Sequence, residues 1–153
     1  MEIWEQSIII YQSQLILNNF YHWFGYPLLD VNDETFAHQL FEASFPVFSH
    51  TDQTDPIYNY GNRKALELWE LEWEQPIKTP SRYSAEPMEQ ADRSRLLEET
   101  MKQGYCCHAQ GVRISSTGKR YNITDFAVWN LLDEHRQCRG QAATFSKWMM
   151  INT

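Results

Sequence analysis

Apolar positions near the N-terminus recur at helical spacing. Trp4, Ile8, Tyr11, Leu15 and Asn18 follow one stripe, with Ile9, Ile16 and Phe20 beside it. This pattern predicts an amphipathic helix over residues 2–24. The aromatic run Phe20-Tyr21-His22-Trp23-Phe24 ends at Gly25 and Pro27, which close a helix. Asp33-Glu34-Thr35 opens a second helix with Phe36, Leu40 and Phe41 inward, ending near Ser44 and Pro46. Residues 46–50 then read as a short strand, residues 51–55 as a polar turn, and a second strand begins at Pro56.

The stretch from Pro56 to Trp69 organises the rest. Ile57, Tyr58 and Tyr60 favour a strand, and Ala65, Leu66 and Trp69 recur at helical spacing. Between them stand Gly61, expected to take a backbone angle other residues resist, and Asn62, expected to cap the helix that follows. As a cap alone, replacement of Asn62 by Ala costs about 0.5–2 kcal/mol and by Gly less.

Residues 70–87 are irregular, because Pro76, Pro80 and Pro87 forbid long helices, and Trp73 and Ile77 are expected to pin single turns. Residues 88–103 form a helix with Leu96, Leu97 and Thr100 inward, ended by Gly104. The last fifty residues alternate as strands. Thr117-Gly118 reads as a two-residue hairpin loop, which sets Ser116 opposite Lys119, Ile114 opposite Tyr121, Val112 opposite Ile123, and Gln110 opposite Asp125. A second hairpin turns through Asp133 to Gln137, and its return strand runs from Cys138 to Ile151.

That register places His108, Gln110 and Asp125 on the inner face, with Tyr121 and Trp129 as aromatic walls and the small residues Gly140, Ala142 and Ala143 leaving space. Space, a few polar groups and aromatic walls describe a small-molecule pocket. The competing readings are a self-satisfied polar network and a bulge that turns Asp125 outward. Arg82, Arg93, Arg113 and Arg120 either converge on an acidic ligand or pair with Glu86, Glu98 and Asp125 on the surface.

Composition narrows the class. Six Trp, eight Tyr and eight Phe in 153 residues supply a sizeable core for one domain. A net charge of -7 argues against direct nucleic-acid binding. Cys106, Cys107 and Cys138 are an odd number without C-x-x-C spacing, which fits a reduced, cytoplasmic protein. The N-terminus lacks the basic region of a signal peptide, and no apolar run approaches the roughly 18 residues of a membrane span. His22, His38, His50, His108 and His135 form no H-x-H or H-E-x-x-H pair, so no metal site is expected.

The order of elements resembles the PAS fold, a group of small sensory and interaction domains, in which an Asn often follows the second strand as Asn62 does here. Within that group the chain is similar to the MEKHLA domain, found alone in bacterial proteins and at the C-terminus of class III homeodomain–leucine-zipper plant regulators. The stretches that carry the resemblance are Pro56-Ile57-Tyr58-Asn59-Tyr60-Gly61-Asn62-Arg63-Lys64-Ala65-Leu66, Pro80-Ser81-Arg82-Tyr83-Ser84-Ala85-Glu86-Pro87, Gly111-Val112-Arg113-Ile114-Ser115 and Gly140-Gln141-Ala142-Ala143-Thr144-Phe145. They lie within residues 34–148.

The resemblance implies an α+β fold. It has a five-stranded antiparallel sheet with helices on one face, over residues 25–153, preceded by the N-terminal helix of residues 1–24. It implies a sensory or interaction module that binds a small molecule or a protein partner, with no catalytic residues. The Asn-Cys-Arg-Phe motif of the light-sensing flavin branch is missing, so covalent flavin chemistry is not expected and the cofactor stays open. Gln141 stands on the last strand, where flavin-binding relatives keep a Gln, and joins His108, Gln110, Asp125, Tyr121 and Trp129 as an expected pocket residue.

The broad apolar face of residues 1–24 either covers the domain's own sheet or joins two chains as a dimer. An alternative to the whole reading is a cavity enzyme similar to the NTF2-like group, with His108 and Asp125 as acid and base. That requires the two within hydrogen-bond reach in an open cavity.

Overall fold

The computed structural model of the chain describes residues 1–31, 33–74 and 79–151. Its helices are α1 (Ser7–Phe24), α2 (Phe36–Phe41), α3 (Arg63–Trp69) and α4 (Pro87–Gln103). Its strands are β1 (Val47–His50), β2 (Tyr58–Gly61), β3 (Tyr105–Ile114), β4 (Arg120–Leu132), β5 (Cys138–Thr144) and β6 (Lys147–Ile151). Short 3₁₀ turns stand at Ile3–Glu5 and Ser81–Ser84. Ile77, expected to pin a turn, lies outside the described residues.

One antiparallel sheet runs in the order β2-β1-β5-β4-β3. These are the five strands expected, with one addition. The return strand from Cys138 breaks at Phe145-Ser146, so β5 pairs with Ala127 to Leu132 of β4 and β6 with Arg120 to Thr124 of the same strand.

Each face of the sheet carries its own apolar cluster. On one side Phe48, Tyr58, Tyr121, Ile123, Phe126 and Phe145 meet Ala65, Leu68 and Trp69 of α3. On the other, Val47, Tyr60, Trp129, Leu131 and Ala142 meet Ile9, Leu15, Ile16 and Phe20 of α1. The N-terminal helix therefore covers its own sheet, on the face opposite α3. Its buried stripe runs Ile9, Ser13, Ile16 and Phe20, one residue round from the expected stripe, and leaves Ile8 and Tyr11 exposed. Asn19 locks this docking: its Nδ2 donates to Leu132 O (3.0 Å) and its Oδ1 accepts from Leu132 N (3.0 Å).

Asn62 caps α3, as expected, by accepting from Ala65 N at 3.1 Å. It also accepts from Val47 N (2.9 Å) and donates to Leu40 O (3.1 Å) and Phe45 O (2.9 Å), so it ties β1, β2, α2 and α3 together. Gly61 departs from the expectation, because its φ is not positive. It ends β2 and leaves room for Leu66, whose Cδ2 would lie 3.3 Å from an added Cβ.

The 115–119 turn corrects the hairpin register. Ser115 N donates to Lys119 O (2.8 Å) and Gly118 N to Ser115 O (3.1 Å), with Gly118 at φ 95°. This is a three-residue loop with a left-handed Gly, one residue longer than the expected one. The pairs become Arg113 with Tyr121 and Gly111 with Ile123, which turns Arg113 inward and Val112 away. His108 (φ 59°) and Asp125 (φ 56°) then sit at irregularities that break the alternation. Beyond Asp125 the inward residues are Phe126 and Val128, and Trp129 turns to the α1 face.

Candidate functional site

The expected polar cluster is not inside the fold. The His108 side chain is 81% exposed and that of Asp125 42%, and Gln110 is exposed. His108 Nδ1 and Asp125 Oδ1 lie 3.2 Å apart, and Lys147 Nζ lies 3.2 Å from Asp125 Oδ2. The hydrogen bond from His108, then that from Lys147, lowers the Asp125 pKa. The pair meets the distance an acid–base dyad needs, but it stands on the surface and not in a cavity. Trp129 is buried against Phe20, at 5.0 Å between ring centroids, and its Nε1 donates to Ile16 O at 3.3 Å. Tyr121 packs on Trp69 at 6.4 Å.

A cavity lies between the sheet's α3-facing side, the Ser81–Ser84 turn and α4. It holds about 50 Å3 and is lined by apolar Phe48, Phe126, Val128, Leu96 and Ala143, and by polar His50, Ser84, Arg93, Arg113 and Gln141. Of the small residues expected to leave space, Ala142 and Ala143 line it, and of the polar and aromatic residues expected there, only Gln141. Its Nε2 donates to Leu97 O (3.0 Å) and Asn130 Oδ1 (3.1 Å), joining β5 to α4 and β4.

Arg93 and Arg113 enter this space from opposite walls. Arg93 comes from the sheet-facing side of α4, at the spacing of Leu96, Leu97 and Thr100, and is 9% exposed. Its Nη2 donates to Ser81 Oγ at 2.7 Å. Arg113, on β3, is 6% exposed. Its guanidinium carbon lies 5.1 Å from the centre of the Phe126 ring, and Nη1 donates to Val112 O at 2.9 Å. Gly111 makes the room, since a Cβ there would stand 2.7 Å from Arg113 Nη1. Burial lowers both pKa values, that of Arg113 to about 10, where Arg93 adds repulsion. Among the described residues neither forms an ion pair. The other two arginines of the expected set pair on the surface, Arg82 with Asp55 (3.2 Å) and Arg120 with Glu86 (2.6 Å).

His50 completes the lining. A carbonyl only accepts, so the 2.9 Å contact between Nδ1 and Thr51 O puts a proton on Nδ1. Burial pushes the imidazole pKa down to about 4, so it is neutral at pH 7 and Nε2 carries a lone pair. That nitrogen is buried and has no hydrogen-bond partner. Arg93, Leu96 and Arg113 also line an open groove between α4 and β3, which leads from the surface toward the cavity.

The MEKHLA domain profile matches residues 10–150. The chain belongs to the MEKHLA domain family. A search of curated proteins gives no match. Solved structures with the same fold include the PAS domain of a Colwellia psychrerythraea protein, at 16% identity and a TM-score of 0.63. That match covers 75% of this chain and 92% of the other. A light-oxygen-voltage domain studied with a flavin analogue matches at 11% identity and a TM-score of 0.60, covering 78% and 87%. The dark structure of the aureochrome 1 light-oxygen-voltage domain matches at 16% identity and a TM-score of 0.58, covering 78% and 87%. This MEKHLA chain thus has the PAS-related fold. Its Cys106 and Cys107 lie on β3, half-buried and exposed rather than in the core.

Two signals in the sequence point to the cavity residues that alternation does not reach. Arg93 falls on the apolar side of an amphipathic helix, and Gly111 stands two residues before Arg113 on one strand face. His50 gave none, since a histidine ending a short strand is unremarkable.

Proposed function

We propose that this MEKHLA protein is a non-catalytic sensory module that binds a small molecule in the cavity between α4 and the sheet. The observation that carries this reading is the lining: two buried arginines and an unpartnered imidazole nitrogen line one cavity. Buried polar groups are ordinarily satisfied, and groups that are not point to a missing partner. At about 50 Å3 the cavity is well below the roughly 300 Å3 of drug-sized sites, so a small ligand fits and a large cofactor does not as the walls stand. An occupant touches Leu96, Leu97 and Arg93 on α4 and Gln141 on β5, so its binding moves a helix against the sheet.

Native mass spectrometry after mild purification tests this. The expected result is a retained small mass on the wild type that is lost from Ala143→Leu, whose side chain fills the cavity. If neither protein retains a mass, and Ala143→Leu only raises the melting temperature, the domain is a solid-cored interaction module.

The reading extends to assembly and place of action. A second copy packs against Ile8 and Tyr11, which α1 leaves exposed. Sedimentation of Ile8→Glu against wild type checks this, with a dimer expected for the wild type alone. The net charge of -7 favours protein over nucleic-acid partners. Among the described residues no helix is long and apolar enough to cross a membrane, and the three cysteines are free. Both facts accord with action in the cytoplasm.

A further inference from the structure

We propose that the cavity's occupant is a small carboxylate that also carries a hydroxyl, the carboxylate held by Arg93 and Arg113 and the hydroxyl donating to His50 Nε2. This rests on the small-molecule reading above and adds the ligand's chemistry.

The charge balance inside the protein is the first ground. A buried ion without a partner is costly, and proteins ordinarily pair it. Here the distribution is inverted. Arg63, Arg82, Arg95, Arg120 and Arg139, all with exposed side chains, each pair with a carboxylate. Among the described residues the two buried arginines form no ion pair. Asp55 acts favourably on Arg93, and Glu89 and Asp92 on Arg113, but none lies within ion-pairing distance. Each guanidinium offers five N–H donors, and the protein takes one from each in the bonds described above. Two forks with free donors match the planar, two-oxygen geometry of a carboxylate.

The second ground is independent of charge. His50 Nε2 presents a lone pair and needs a donor. An ammonium would supply one but would stand beside two guanidiniums, whereas a hydroxyl donates without adding positive charge. Hydroxy acids therefore fit where amino acids of the same size do not. The cavity volume keeps the molecule small.

Titration calorimetry and thermal melts on the full chain test this with four probes: lactate, lactamide, L-alanine and inorganic phosphate. Variants are Arg93→Met, Arg113→Met, His50→Phe and the surface control Arg95→Gln. Lactate is expected to bind and raise the melting temperature of the wild type and of Arg95→Gln, and lactamide and L-alanine are not. Loss of either buried arginine should weaken lactate binding by about tenfold or more, as expected for a charged hydrogen bond. Without ligand, each Met variant should melt at or above the wild type, because an unpaired buried charge has been removed.

If both Met variants unfold or melt lower without ligand, the arginines are structural and the inference is wrong. If phosphate binds and lactate does not, the site is built for another anion and the carboxylate assignment falls. If lactamide binds as well as lactate, the anionic assignment falls while the small-molecule reading stands. If no probe binds and no mass is retained on the native protein, both fall together.

Discussion

Asn62 offers a sharp test of how the fold is held. A residue that only caps α3 loses about 0.5–2 kcal/mol on change to Ala and a few tenths on change to Gly. The structure assigns it four hydrogen bonds and no exposure. Removing the side chain leaves Ala65 N–H, Val47 N–H and Phe45 O without their partner. Leu40 O keeps a second donor, Ala43 N at 3.3 Å. Each buried group left unsatisfied costs about 1–3 kcal/mol, so three at the lower end give about 3–5 kcal/mol. That is a large part of a total stability of about 5–15 kcal/mol. Gly should cost nearly as much as Ala, because it restores only the backbone preference of the cap. Asn62→Asp keeps the acceptor but turns a carboxylate oxygen toward the Leu40 and Phe45 carbonyls, and should cost no less. Urea midpoints at constant slope measure all three. A loss below about 2 kcal/mol for Ala, with Gly within a few tenths of wild type, would show a cap and nothing more.

Further expectations follow from the cavity and its surroundings. Burial pushes the His50 pKa from the ordinary 6.5 down to about 4 in the fold. Between those values the unfolded chain binds the extra proton, so stability falls as pH drops from 6.5 to about 4, by about 3 kcal/mol, and His50→Asn should flatten that window in urea melts. Asp125→Asn should leave both the urea midpoint and any retained mass unchanged, since its carboxylate stands in solvent; a loss of retained mass would place it at the site after all. Gly140→Ala should cost about 3 kcal/mol or more, because φ is 137° and the new Cβ would lie 2.0 Å from His50 O. A thermal melt close to wild type would show that β1 and β5 can separate there.

What the sequence discloses divides by how local its cause is. The Asn62 corner, α4 with its Gly104 end and the Asp133–Gln137 turn are each specified by residues within a few positions, and each is legible. In that turn Asp133 Oδ1 accepts from His135 N (2.8 Å) and Gln137 N (3.0 Å), a side-chain pattern that Asp announces. The sheet's inner face is different. Its reading depends on the length of the 115–119 loop, and one residue of error turns every β3 side chain to the other face. The two irregularities at His108 and Asp125 then reverse the alternation again. The bulge that turns Asp125 outward is one of the readings the sequence allows, and Asp and His take positive φ more readily than most residues, but neither marks the place as a glycine would. The polar and aromatic residues expected in the pocket scatter for this reason, and of them only Gln141, on the regular part of β5 beside Ala142 and Ala143, lines the cavity. Arg93 and Arg113 are visible in the sequence as members of a set of four. Which two are buried depends on the packing of α4 against β3, a contact that the chain order does not encode locally.

The central claim is that the space between α4 and the sheet is where a small molecule binds. Methyl-labelled NMR spectra recorded during a lactate titration test it most directly. Saturable shifts are expected at Leu96, Leu97, Val128 and Ala143, with Ile8 and Ile10 on α1 unmoved, and loss of all four in Arg113→Met. Shifts confined to the α1 methyls, or cavity methyls that stay still while lactate binds, would contradict it.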